Sequence, residues 1–153
     1  MKKIMIPLTV LLMLIRFQLT VTAADYNVPT NDTGFNVYTE TVVLEEPNVM
    51  NGSRAMQSVT VQRTSYYRDA NMNVLWTLSL TATFNYDGYS AVCANCSHQA
   101  NAVASGWSIK SASSGHNGNA AAAVGTALHK ELFNTSEHQM SVTLTCDPDG
   151  TIH

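Results

Sequence analysis

Residues 74–86 constrain this chain more than any other stretch. Val74, Trp76, Leu78, Leu80, Ala82, Phe84 and Tyr86 fall in one phase, and Leu75, Thr77, Ser79, Thr81, Thr83 and Asn85 in the other. Only Leu75 breaks the alternation. At helical spacing the apolar set would spread around the whole cylinder. At period two it makes one clean face, so the segment reads as a half-buried strand. A chain built around such a strand needs a second apolar layer to cover that face.

Asp87-Gly88 follows, then a second alternating run, Tyr89 to Cys96. Asp-Gly between alternating runs signals a hairpin with a two-residue turn. That turn sets Tyr86 against Tyr89, Phe84 against Ala91 and Ala82 against Cys93. Cys93 is then expected to face the core, and Cys96, opposite Ser79, the polar side. His138 to Cys146 alternates well too, with Met140, Val142, Leu144 and Cys146 in one phase. Cys146 therefore also points inward. Period two alone selects Cys93–Cys146 as a disulfide and leaves Cys96 as a free or intermolecular thiol, with three buried or reduced thiols as the alternative.

Further strands are expected at Phe35–Leu44, Met56–Arg63 and Trp107–Ala112. Thr64–Asn73 reads as irregular, and Ser113–Asn119 as a flexible connection. Glu45-Glu46-Pro47 stops one strand, and Asn51-Gly52 marks a turn. Ala120–Phe133 is ambiguous: its alanines suit a helix, while Val124, Thr126, Leu128 and Lys130 in alternate places suit a strand. Its neighbours favour strand. Short strands with turn signals between them point to an all-β, single small antiparallel β-sandwich of immunoglobulin-like kind, with a small barrel as the alternative.

Residues 1–24 stand apart. Lys2 and Lys3, an apolar run from Ile4 to Ile15, and Thr22-Ala23-Ala24 follow the order of a secretory leader, with cleavage near Ala24. The run is shorter than the ~20 residues a spanning helix needs, so no permanent membrane anchor is expected. Residues 25–153 then form one domain with a loose lead-in, Asp25 to Gly34. Losing the leader removes Lys2, Lys3 and Arg16 but no acid, and moves the net charge from -3 to -6. An acidic domain repels phosphate backbones, so nucleic acid is not an expected partner. Thr, Ser and Asn make up 40 of the remaining 129 residues. This polarity without charge suits the solvent face of exported strands.

Trp76-Thr77-Leu78, Phe84-Asn85-Tyr86-Asp87-Gly88 with Ala91 and Cys93, Trp107, and Val142-Thr143-Leu144-Thr145-Cys146 with Gly150 together resemble a group of small exported proteins of Gram-positive bacteria. The resemblance spans about Val74 to Thr151. It implies export and a β-fold, and it carries no activity, no catalytic residue and no place for Cys96.

Motifs for chemistry are absent. Cys93-x-x-Cys96 lies on an expected strand rather than opening a helix, which argues against a redox pair. No second close ligand pair accompanies it, so no zinc is expected. His98, His116, His129, His138 and His153 are scattered and read as solvated. Neither a nucleophile elbow nor a phosphate loop occurs. Sequons stand at Asn31, Asn51, Asn95 and Asn134. Tyr66-Tyr67, in a polar stretch beside Arg68 and Asp69, is the candidate interaction surface if exposed. No catalytic residue, metal or cofactor is expected. The expected function is a secreted, non-enzymatic module that binds an extracellular protein or carbohydrate or serves a structural contact. A secreted antagonistic or host-directed effector is the alternative, with a hydrolase behind it.

Overall fold

The computed structural model describes residues 21–22, 34–45 and 56–153, and among these described residues eight strands form. They are β1 (Val21–Thr22), β2 (Asn36–Glu45), β3 (Gln57–Arg68), β4 (Val74–Tyr86), β5 (Ala91–Ala102), β6 (Trp107–Asn117), β7 (Ala120–Lys130) and β8 (Thr135–Thr145). The first sheet runs β1-β2-β3-β4-β5 and the second β6-β7-β8, all antiparallel. Among the described residues no helix forms, and the two sheets pack as a sandwich without closing into a barrel. The connectivity is two consecutive meanders. Within each sheet every strand pairs with its chain neighbour, unlike the Greek-key interleaving of immunoglobulin domains. The expected lead-in (25–33), the stop at Glu46-Pro47 and the Asn51-Gly52 turn lie outside the described residues.

β4 is the keel of the first sheet. Trp76, Leu78, Leu80, Ala82 and Phe84 are buried on its inner face, as the alternation requires. Its outer face pairs hydroxyls and amides across strands: Thr83 with Thr60 (3.0 Å), Thr81 with Gln62 (3.1 Å) and Ser79 with Thr64 (2.8 Å). Leu75, which breaks the pattern, sits where the chain leaves one sheet for the other. Its carbonyl accepts from Val103 N (2.9 Å) and Ala104 N (3.0 Å), and its side chain is buried.

The second sheet contributes bulk from β8, through Met140, Val142 and Leu144, and from the start of β6, through Trp107. β7 is small where it meets β4: Ala121, Ala123 and Ala127 are buried, and a Cβ on Gly125 would stand 3.2 Å from Trp76 Cζ3 and 3.3 Å from Leu78 Cδ1. The alanine-rich segment is therefore a strand, ending at Lys130. Packing against the β4 side chains overrides the helix propensity of alanine. Two other boundaries move for similar reasons. β3 continues through the expected irregular stretch to Arg68, paired residue by residue with β2 and β4. β6 runs to Asn117, held by Ala120–Ala123.

The β4–β5 hairpin corrects the expected register. Its loop has four residues, Asp87 to Ser90, so Tyr86 pairs with Ala91 and Phe84 with Cys93. Asp87 closes the loop: its Oδ1 accepts from Tyr89 N (3.0 Å) and Ser90 N (2.8 Å). Gly88 (φ 85°) is the only loop residue with positive φ, whereas a type I′ turn needs two. Ala94 is then an extra, bulged residue between Cys93 and Asn95. The bulge shifts the phase and sets Cys96 opposite Ala82 rather than Ser79. Cys96 is thus partly buried against the core instead of lying on the polar face.

One end of the sandwich is tied shut. Cys93 N donates to Gly118 O (2.8 Å) and Cys146 N to Asn119 O (3.0 Å), so the two cysteines grip successive carbonyls of the β6–β7 turn. The C-terminal residues fold back, with Cys146 bridging Ile152 and Gly88 N donating to Pro148 O (2.9 Å). Arg63 holds the open side of the sheets together, donating to Thr41 Oγ1 (2.8 Å) and to the β8 carbonyl of Thr143 (2.7 Å). Gly150 (φ 89°) lies flat on the buried Tyr86 ring, and a Cβ there would fall 2.6 Å from its Cε2. Gly150→Ala is expected to cost about 3 kcal/mol, combining left-handed backbone strain with overpacking. A urea midpoint indistinguishable from wild type would contradict it.

Candidate functional site

The opposite end is built from three connections. Val103 N and Ala104 N bind Leu75 O, beside the β3–β4 loop, and Lys130 N donates to Gly106 O (2.8 Å), which brings in the β7–β8 hairpin. In the first loop the Asp69 carboxylate accepts from Asn71 N (2.9 Å), Asn73 N (2.9 Å) and Asn73 Nδ2 (3.0 Å). Those bonds hold its pKa below the ordinary aspartate value. They also lock Met72 at φ 66°, a left-handed conformation that a long side chain rarely adopts. In the third loop Glu131 N donates to Asn134 O (2.9 Å), which leaves Leu132 and Phe133 alone at the apex. Phe133 is 100% exposed and Leu132 93%, and Met72 and Val103 project from the neighbouring loops.

Beneath these tips lies an aromatic floor contributed by both sheets. Phe35 stacks on Tyr67 at 5.2 Å, Tyr67 meets Trp107 at 5.7 Å and Trp76 at 6.0 Å, and Trp107 stacks on His129 at 4.6 Å with the rings 11° apart. His138 completes the floor, 4.8 Å from Trp107. Its ring is pinned on both nitrogens, Nδ1 2.9 Å from the Tyr67 hydroxyl and Nε2 2.9 Å from Ser136 Oγ. His138 is 8% exposed, so the expectation that all five histidines are solvated fails here. A buried imidazole needs partners for both nitrogens, and the floor supplies them. The arrangement fixes the base of the loops and gives the tips a rigid mount.

The expected Tyr66-Tyr67 surface divides. Tyr67 is 2% exposed and belongs to the floor, because β3 runs through this stretch and adjacent residues point to opposite faces. Tyr66 lies half-buried on the outer face of the first sheet. Its hydroxyl donates to Glu40 Oε2 (3.1 Å), and Arg68 covers its ring and that of Tyr38 at 5.4 and 4.6 Å. Burial and Glu40 raise the Tyr66 pKa. Its partners already occupy this patch.

The expected Cys93–Cys146 disulfide is not formed in the structure: both residues are fully buried, and all three cysteines are unpaired thiols. Burial raises the Cys93 pKa and pushes Cys146 up to about 11, with Asp147 and Asp149 adding to the effect. Neither is a ready nucleophile at neutral pH. Among the described residues no group of three His, Cys, Asp or Glu side chains could hold a metal ion. An open depression of about 760 Å³ crosses the outer face of the second sheet, lined by small residues such as Ser113, Gly115, Ala120, Ala122 and Thr143. His116 is its only titratable side chain.

Charge separates the two ends. Near the loops Arg68, Asp69, Lys130 and Glu131 balance, and Lys110 pairs with Glu137. Around the tied end Glu45, Asp87, Asp147 and Asp149 are all acidic. The apolar tips were missed in the sequence because Leu132 and Phe133 continue the apolar pattern of the strand before them. Only Asn134, a turn residue, marks the reversal.

A scan against protein-family models, a search of curated proteins and a search of solved structures each return no match for this chain. The class is therefore set by its own geometry: a two-meander β-sandwich with one tied end and one apolar loop end.

Proposed function

We propose that this chain is an exported, non-enzymatic binding module that engages its partner through the loop end. The exposure of Leu132 and Phe133 carries the reading. A four-residue hairpin loop needs neither side chain in order to fold, and each would gain about 1.5–3 kcal/mol on burial against a partner. Binding residues are disproportionately placed on loops held by a rigid scaffold, and the aromatic floor is such a scaffold. The leader expected over residues 1–24 supplies the export, and its cleavage would remove the two-residue edge strand β1, leaving β2–β5 as the first sheet. A Cys93–Cys146 disulfide, formed after export, would fasten the tied end. Aliphatic and aromatic tips favour an apolar partner surface over a carbohydrate.

Retention on isolated cell envelopes tests the reading, using labelled chain recovered from the culture medium. Leu132→Ser/Phe133→Ser is expected to lose at least about tenfold in retention. Tyr89→Ser, equally conspicuous at 83% exposure but at the tied end, is expected to be retained like wild type. Equal retention of the loop-end variant would overturn the proposal.

A further inference from the structure

We infer that the partner of the loop end is a zwitterionic lipid bilayer, into whose headgroup region Met72, Val103, Leu132 and Phe133 insert. This rests on the loop-end reading above and names its occupant. The four apolar side chains sit on three separate tips. Polar Asn71, Asn73, Ser105 and Asn134 flank them along the chain. A folded protein partner would need a matching pocket for each tip. A fluid bilayer accepts protruding apolar groups wherever they fall, to a depth of about 5–10 Å.

Charge selects the lipid, and the apolar tips set the orientation. The tied end, with Glu45, Asp87, Asp147 and Asp149, is repelled by any anionic surface. The loop end is balanced through Arg68, Asp69, Lys130 and Glu131 and carries no excess of Lys or Arg to attract anionic headgroups. The molecule therefore suits a neutral membrane, which the loop end meets through its exposed apolar side chains. Mounting also contributes. Asp69 caps its loop, Gly106 O holds Lys130 N, and the rings below are packed, so insertion costs little further ordering.

Co-sedimentation of the full exported chain with phosphatidylcholine vesicles tests this. The wild type is expected to partition, with little dependence on salt because the attraction is apolar. Leu132→Ser and Phe133→Ser should each weaken partition roughly tenfold, with thermal midpoints unchanged because both residues are exposed. Adding phosphatidylglycerol to the vesicles should weaken binding. A Phe133→Trp variant should be quenched by brominated acyl chains. Absence of partition at millimolar lipid, equal partition of the serine variants, or binding that requires anionic lipid and vanishes in salt would each overturn the inference. Should envelopes retain the chain through its loop end while pure vesicles do not, the binding module stands and its partner is a protein. Should the envelopes ignore the loop-end substitutions, both readings fall.

Discussion

The exported chain is expected to be lighter by two hydrogens before reduction than after, with the crosslink mapping to the Cys93 and Cys146 peptides. Both residues are buried at the tied end, and their amides grip the successive carbonyls of Gly118 and Asn119. Forming the bond moves two electrons and two protons from the thiols to an external disulfide oxidant, leaving one S–S bond here and two thiols on the oxidant. It would close a loop of about 53 residues, worth about 4 kcal/mol in the chain-entropy model, a large share of the stability of a domain this size. Reduction should therefore lower the urea midpoint sharply. The reduced chain should also be alkali-sensitive. Burial keeps the folded Cys146 thiol neutral up to about 11, whereas the ordinary value is 9.0. Stability present below pH 9 is thus lost as pH rises towards 11, and the loss should be smaller in the oxidised chain, where Tyr66 and Tyr86, whose pKa values burial also raises, still contribute but the thiol does not. Since the Ala94 bulge puts Cys96 on the inner side with Cys93, a crosslink containing Cys96 is the outcome that would refute the pairing.

Trp76 carries the second large effect. Its side chain is fully buried, and among the described residues its indole Nε1 has no hydrogen-bond partner. Trp76→Ala is expected to cost about 3–5 kcal/mol through the cavity it leaves. Trp76→Phe should cost far less, because losing part of the ring is offset by removing an unsatisfied buried donor, itself a cost of about 1–3 kcal/mol. Urea unfolding of both variants checks the contrast. Equal losses would mean that the indole nitrogen is satisfied after all.

How far the sequence was legible depended on how local the cause was. The period-two pattern of β4 and β8 read correctly because burial on one face imposes it along the whole strand. The inward direction of Cys146 read correctly for the same reason; that of Cys93 came out right although its expected partner was Ala82 and its actual one is Phe84, because both of those residues face inward. The turn at Asp87 did not, since its length depends on how Asp87 caps the loop and on Pro148, sixty residues away, accepting from Gly88. The Ala94 bulge followed from that loop and reversed the side assigned to Cys96. Tyr67 and His138 were misplaced because their burial comes from partners in both sheets: Phe35, Trp107 and Ser136. Leu132 and Phe133 carried the right chemistry, but nothing in the spacing separated a strand end from a hairpin apex.

The meeting of β4 with β7 gives the two sheets opposite tolerances to substitution. On β4, whose residues fill the interior, change is punished when a side chain shrinks. On β7, where Ala121, Ala123, Gly125 and Ala127 leave room for that bulk, change is punished when a side chain grows. Drift along this chain would therefore be asymmetric: paired changes, smaller on the keel and larger on the plate facing it, are the ones the interior can absorb.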